Sequence, residues 1–448
     1  MADALLDDLL DWLRIPSIST GGGRPEDLQR ASDWVCERVI AAGGSAHADT
    51  THGGNPLAVG ELRARTPDAP TVLIYGHYDV QSVGDESAWS SPPFEPDIRD
   101  GRIYARGAAD DKGNFLPLLH VACALAREDA LPVNVRVLVE GEEEAGSVAV
   151  AKWIQADETL ADAAIVFDGG MADEQTPAIT VGLRGVISAG ITVRTAERDL
   201  HSGLYGGSVL NALHVLHGML AQVMPGPGGL VREELRKGIE APAPTELESW
   251  QLLKPGDEVI AEVGGRPVSP DAGADYYRRN GADASVDVNE IVGGEPRTLV
   301  PATARAAVSM RLAPRQRADE MRAELERLLR SALPDGAEAE FTWQPAEPAL
   351  SDPESPPIRL AVEALERATG MTTALVRTGG SIPVVAEMIG RGIPTIVSGF
   401  ALPDDAFHAP NESYRVESLR LGERAARDLY SSLAALPRAA ESARGRTQ

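Results

Sequence analysis

Five places in this chain put imidazoles or carboxylates where a fold could gather them. His77 and Asp79 stand two residues apart near the end of TVLIYGHYDVQ, residues 71–81. That spacing suits a metal ligand with an orienting acid, because ligating histidines usually hand their second N–H to an acceptor. Asp110 and Asp111 occupy a glycine-bounded turn, GAADDKG. Glu142, Glu143 and Glu144 crowd into EGEEEAGS, where adjacent carboxylates repel unless cations or solvent relieve them. Asp168 follows the apolar run AAIVF, and His408 lies in FHAPNE near the C-terminus. Singly, each has an ordinary reading as a helix cap, solvated loop, turn former or surface imidazole. Together they form a mixed His/Asp/Glu donor set that Zn2+ or Mn2+ accepts, and a carboxylate can bridge two such ions about 3.5–4 Å apart. His214 and His217, three apart on a helix with no acidic motif around them, read as surface or structural residues.

The elements that must position these groups alternate between helix and strand. MADALLDDLLDWLR sets Leu5, Leu6, Leu9, Leu10 and Leu13 on one helical face. A second helix follows near residues 26–42, then a buried strand at 72–75. Residues 89–106 make a surface excursion ending in a short strand, 102–105. A helix is expected over 114–127, with Pro117 in its first turn. Strands at 133–139 and 163–167 complete an α/β layer, and open sheets of this kind place chemistry at the carboxyl ends of their strands. From about residue 182 the texture changes. Strands at 185–194, 285–291, 305–312 and 337–343, with helices at 209–224 and 317–333, suggest a small α+β domain inserted into the larger one. Residues 225–283 read as irregular. The helix–strand alternation returns at 355–367 and 395–398.

At 448 residues the chain exceeds one compact core. Its net charge of −25, from 42 basic and 67 acidic residues, argues against nucleic acid or an anionic membrane as partner. No stretch approaches the ~18 apolar residues of a membrane span. The N-terminus lacks a basic leader, so it reads as a first helix and not a signal peptide. Cys36 and Cys123 lie in apolar helical contexts and read as buried thiols of a reducing compartment. The expectation is a soluble, cytoplasmic protein.

The motifs GHYDVQ, EGEEEAGS, RDLHSG, RTGGSIPV and HAPNE, with Asp110 and Asp168 between them, resemble the aminoacylase–carnosinase–carboxypeptidase family of di-metal peptidases. Their spellings are most like cytosolic dipeptidases of the carnosinase type. The resemblance implies an α/β catalytic domain, residues 1–181 and 347–448, with a central mixed sheet flanked by helices. It also implies an inserted ferredoxin-like α+β lid and dimerisation domain over 182–346. Two divalent ions are implied, Zn2+ first and Mn2+ or Co2+ as alternatives. Asp110 would bridge them, His77 and Asp168 would complete one shell, and Glu144 and His408 the other. Glu143 would be the general base toward a water between the metals, and Asp79 would orient His77. A cis peptide bond after Asp110 is implied as well. His201 would donate to the oxyanion from the inserted domain, often across a homodimer. Arg311, Thr298, Gly380 and Ser381 would contact the substrate. The implied reaction is hydrolysis of dipeptides or short peptides. Deacylation of N-acyl amino acids, carboxypeptidase action and a catalytically silent metal-binding protein stand as alternatives. Glu290 departs from the glycine such dipeptidases commonly carry, which leaves side-chain preference open.

Overall fold

The computed structural model describes residues 3–380 and 382–437. A nine-stranded mixed sheet dominates. Its middle four strands, Asn134–Glu140, Thr71–His77, Ala163–Val166 and Thr395–Val397, lie side by side and run parallel. Leu57–Leu62 and Ser45–Asp49 extend one side antiparallel. Ala178–Leu183 extends the other, pairing antiparallel with Ala349–Leu350 and parallel with Ala374–Thr378.

The two-residue period of a strand assigns its side chains to layers. Val72 and Ile74 join the core beneath Ala4–Leu13, Pro25–Ala41, Lys112–Arg127, Pro356–Thr369 and Val416–Leu433. Leu73 and Tyr75 join the core beneath Val148–Ala156 and Pro383–Gly390. Burial on both faces explains why the central strands read as unbroken apolar runs.

The first helix buries Leu5, Leu9, Trp12 and Leu13. Trp12 stacks on Trp34 with ring centroids 4.9 Å apart. Lys112 is fully buried beside them, and its Nζ donates to the carbonyls of Ile15 at 2.8 Å and Trp12 at 3.2 Å. Carbonyls at a helix end have no intrahelical partner, so a long side chain that carries N–H donors suits the place, although burial pulls the Lys112 amine down to about 7.

Several boundaries differ from the sequence expectation. The helix Lys112–Arg127 starts before residue 114, which moves Pro117 into the second turn. Gly422 lies so close that a Cβ there would stand 2.9 Å from the Pro117 ring, so the proline is held in tight packing against Val416–Leu433. The helix expected over 209–224 spans only Ala212–Leu220, begun by Asn211, whose side chain accepts the Leu213 N–H at 2.9 Å. Residues 225–283 contain two short helices, Pro244–Ser249 and Gly256–Glu262.

A second sheet orders Ser285–Gly293, Thr303–Leu312, Gly185–Arg194 and Glu338–Ala346, all antiparallel. Ile187, Ile191 and Val193 pack there with Leu216 and Met219 of one helix and Met321 and Leu325 of Ala318–Arg330. A three-stranded sheet of Ser413–Arg415, Arg102–Tyr104 and Asp97–Arg99 ties the segment that carries His408 to the one that carries Asp110.

Candidate metal centre and active site

The parallel strands deliver their carboxyl ends to one place. Thr71–His77 ends on His77, whose ring is fully buried. Its Nε2 lies 3.1 Å from Asp110 Oδ1 and 3.9 Å from Asp168 Oδ1. Its Nδ1 faces the other way, 3.0 Å from the Asp79 carbonyl and 3.5 Å from the Asp79 carboxylate. That carboxylate also accepts the backbone N–H groups of Glu143 at 3.1 Å and Glu144 at 3.2 Å. One buried aspartate thus positions both the histidine and the start of the glutamate turn.

Asp110 divides its two oxygens. While Oδ1 faces His77, Oδ2 lies 3.0 Å from His408 Nε2, which stands 3.3 Å from Glu144 Oε1. Two triads result, His77/Asp110/Asp168 and Asp110/Glu144/His408, and within each the donor atoms lie within 4.8 Å of one another. The peptide bond between Asp110 and Asp111 is cis. Two imidazoles and three carboxylates, one of them shared, form a donor set that fits a pair of divalent cations.

The electrostatics agree with that fit. Burial drives the Asp168 carboxyl well above the usual range, against the pull of His77. Burial and the neighbouring Asp110 push Glu144 up to about 7. Glu143 is raised as well, chiefly by burial. Burial acts to raise Asp110 too, but its bonds from His408 and His77 win and hold it below the ordinary value. Acids gathered this closely away from water lack positive charge, which bound cations would supply. Glu142 stands apart: its carboxylate accepts the N–H of Ala149 at 2.7 Å and of Asn55 at 3.1 Å.

A model of peptidase family M20/M25/M40 matches residues 73–431. The chain belongs to that family. Among curated relatives, the cysteinylglycine-S-conjugate dipeptidase of Corynebacterium striatum is 29% identical over 80% of this chain and 80% of its own length. The Cys-Gly metallodipeptidase dug1 of Schizosaccharomyces pombe is 27% identical over 82% of this chain and 80% of its own. Among solved structures, the M20 family metallo-carboxypeptidase Sso-CP2 from Sulfolobus solfataricus has a TM-score of 0.84 at 25% identity, covering 97% of this chain and all of that one. Human carnosine dipeptidase 1 shares the fold, with a TM-score of 0.75 at 22% identity and 96% coverage of each chain. The protein is therefore a metallopeptidase of the M20 fold.

Other predicted site residues of this M20 peptidase fall in two places outside the triads. His201 is exposed and its Nδ1 accepts the Gly203 N–H at 3.1 Å. Among the described residues, no hydrogen bond or ion pair joins His201 to the acidic cluster. Thr298 belongs to the same patch, its carbonyl accepting the Ser202 N–H at 3.1 Å. Arg311 is half-buried and donates from Nη1 to the Gly379 carbonyl at 3.1 Å, which places it beside the exposed Gly380. Ser381 lies outside the described residues. His214 and His217 are exposed on their helix, as expected.

Two residues that support the peptidase's site carry no role in the sequence reading. Glu412 is fully buried and accepts from Arg106 Nη1 at 2.7 Å and from the N–H groups of Gly107, Ala109 and Asp110 at 2.9, 2.9 and 3.1 Å. A tight turn rich in N–H groups needs an acceptor, and HAPNE ends on one. Asn114 donates to the Gly169 carbonyl at 2.8 Å and accepts the Phe400 N–H at 2.9 Å, tying two strand-end loops together.

Proposed function

We propose that this M20 peptidase hydrolyses the amide bond of dipeptides or short peptides, using two divalent cations held around Asp110. The observation that carries the reading is the division of Asp110 between His77 and His408. His77 and Asp168 would complete one shell, and Glu144 and His408 the other, with Zn2+ as the first expectation and Mn2+ or Co2+ as alternatives. When bound, such ions polarise a carbonyl and lower the pKa of water.

The chain's own groups divide the remaining work. Glu143 belongs to neither triad, and its backbone is anchored by Asp79. It would accept the proton of the attacking water and return it to the leaving amine. Asp79 keeps the His77 ring in one orientation. Arg311, beside Gly379 and Gly380 and with Ser381 next in sequence, would hold the free carboxylate of the peptide. His201, with Thr298, would reach the developing oxyanion only by closure or from a second copy. We read residues 182–346 as the lid and dimerisation domain, closing on 1–181 and 347–448. The exposed Ile291 and Val292 on the sheet's outer strand support a homodimer. Among the described residues no helix is long and apolar enough to cross a membrane. The two cysteines are buried free thiols, which supports a cytoplasmic setting.

The dipeptidase names of the relatives favour free dipeptides, while the carboxypeptidase among the structural neighbours keeps longer chains as a second reading. Assays of a dipeptide panel against longer peptides and acetyl- and succinyl-amino acids, with each of the three metals, separate them. Dipeptide turnover that disappears on chelation is expected. Absence of peptide hydrolysis with all three metals would overturn the reading.

A further inference from the structure

Two cavities share residues 168–171 in their lining. One, about 550 Å3, has Asp110, Asp168 and His408 at one end, with Met171, Leu402 and Phe407 in its wall. The other, about 360 Å3, shares residues 168–171 but reaches Thr378 and Gly380. It lies toward the loop that Arg311 touches through the Gly379 carbonyl.

We propose that the larger cavity receives the side chain of the substrate's amino-terminal residue and selects a bulky apolar one. The inference rests on the peptidase reading above and adds a substrate class to it. A dipeptide has an anion at one end and a cation at the other. Its carboxylate belongs with Arg311, toward the smaller cavity, which leaves the larger one, lined by Asp110 and His408, for the side chain of the amino-terminal residue.

Chemistry then sorts the side chains. Among the described residues, apart from the proposed metal ligands, the one polar side chain lining the larger cavity is Asn114. Both of its polar atoms are engaged: Nδ2 donates to the Gly169 carbonyl, and Oδ1 accepts from the Phe400 N–H and, at 3.3 Å, from the Tyr414 hydroxyl. A charged or amide side chain entering there would lose water and, beyond the proposed metal ligands, find no free side-chain partner among the described residues, whereas an apolar one would gain by burial. The wall is also fixed in shape. Asp405 accepts the Leu402 N–H at 2.6 Å and pairs with Arg102, while Ala406 and His408 hold φ of 60° and 57° on either side of Phe407. Left-handed backbone at two non-glycine residues is uncommon and persists where surroundings enforce it. Phe407 between them is 39% exposed and lines the cavity.

The test compares kcat/KM of the metal-loaded enzyme for Leu-Gly and Phe-Gly with that for Ala-Gly, Lys-Gly and Asp-Gly, and repeats the comparison with the Gly-X series. Leu-Gly and Phe-Gly should exceed the others by about tenfold or more, with a narrower spread in the Gly-X series. A flat X-Gly profile, a preference for charged residues, or a preference confined to Gly-X overturns the assignment. In metal-loaded Glu143→Gln, calorimetry should find Leu-Gly bound several-fold more tightly than Ala-Gly, and equal affinities overturn it. This binding arm separates a failure of the pocket from a failure of the peptidase reading, which appears as absence of turnover for every dipeptide. Phe407→Ala and Leu402→Ser should each lower the Leu-Gly to Ala-Gly ratio, and a ratio unchanged in both overturns the wall's role.

Discussion

Glu412 serves four donors with a single carboxylate, and three of them are backbone groups of the turn that presents Asp110. Glu412→Ala would leave the buried Arg106 guanidinium and those N–H groups unsatisfied, so it should destabilise the protein by about 3–5 kcal/mol in urea unfolding. Metal affinity should fall with it, since Asp110 loses its mount; unchanged stability would refute this. Glu143 makes the opposite prediction. Glu143→Ala should retain two metal ions by elemental analysis and lose turnover by about 10²–10⁴-fold, the usual worth of a general base. Near-normal turnover would remove Glu143 from the mechanism. Glu140, the strand neighbour of His77 and itself in neither triad, supplies a pH test. Tyr75 and Ser147 donate to its Oε1 at 2.5 and 3.0 Å, while among the described residues its Oε2 has no hydrogen-bond partner. Burial pushes its carboxyl from an ordinary 4.5 up to about 8. Between those values the folded chain binds a proton that the unfolded chain lacks, so stability should fall as pH rises through the window and level off above it. In metal-free protein, Glu140→Gln should flatten that slope between pH 5 and 8, and an unchanged slope contradicts it. The residues of the two triads were legible because each stands in a short motif at a strand end or tight turn. Glu412 and Asn114 were not, because their partners are backbone groups of segments remote in sequence.

Elements were legible where their period was long enough to repeat. Gly185–Arg194 is observed over the span its alternation predicts, and Thr71–His77 extends the predicted strand at both ends. Val416–Leu433, not among the elements expected from the sequence, is a helix with Leu419, Ala426, Leu429 and Leu433 buried. Ala374–Thr378 is different: ALVRT is a strand by virtue of its parallel pairing with Ala178–Leu183, which no local pattern announces. Helix Lys112–Arg127 and strand Thr71–His77 meet at a point the sequence marks only by a glycine. A Cβ on Gly76 would stand 2.5 Å from the Phe115 ring and 2.7 Å from Asp111 Oδ2. Gly76→Ala should therefore cost about 1–3 kcal/mol through overpacking, read as a lowered urea midpoint with an unchanged m-value. Wild-type stability in that variant would mean the helix can retreat from the strand freely.

At the scale of the whole molecule, the change of texture near residue 182 coincides with the first strand of the second sheet, Gly185–Arg194. The exposed place of His201, with no hydrogen bond or ion pair to the acidic cluster among the described residues, was not legible, because distances between segments are not encoded in local spacing. The acidic cluster makes one global prediction. Carboxylates held this close repel unless cations sit among them, so chelation should lower Tm and restored metal should raise it in proportion to the logarithm of its concentration. A Tm indifferent to metal would show that the cluster is satisfied without it.

Lys112 joins the far end of the chain to this chemistry. Its ammonium has left water to take carbonyls at the close of the first helix, and two residues earlier stands Asp110, the carboxylate both triads share. Shaving off the opening fourteen residues would remove no ligand, yet it would take the Trp12 carbonyl and the Trp12 ring from Lys112 and leave its Nζ with the Ile15 carbonyl alone. The amino-terminal segment is thus a keystone for a centre it never touches.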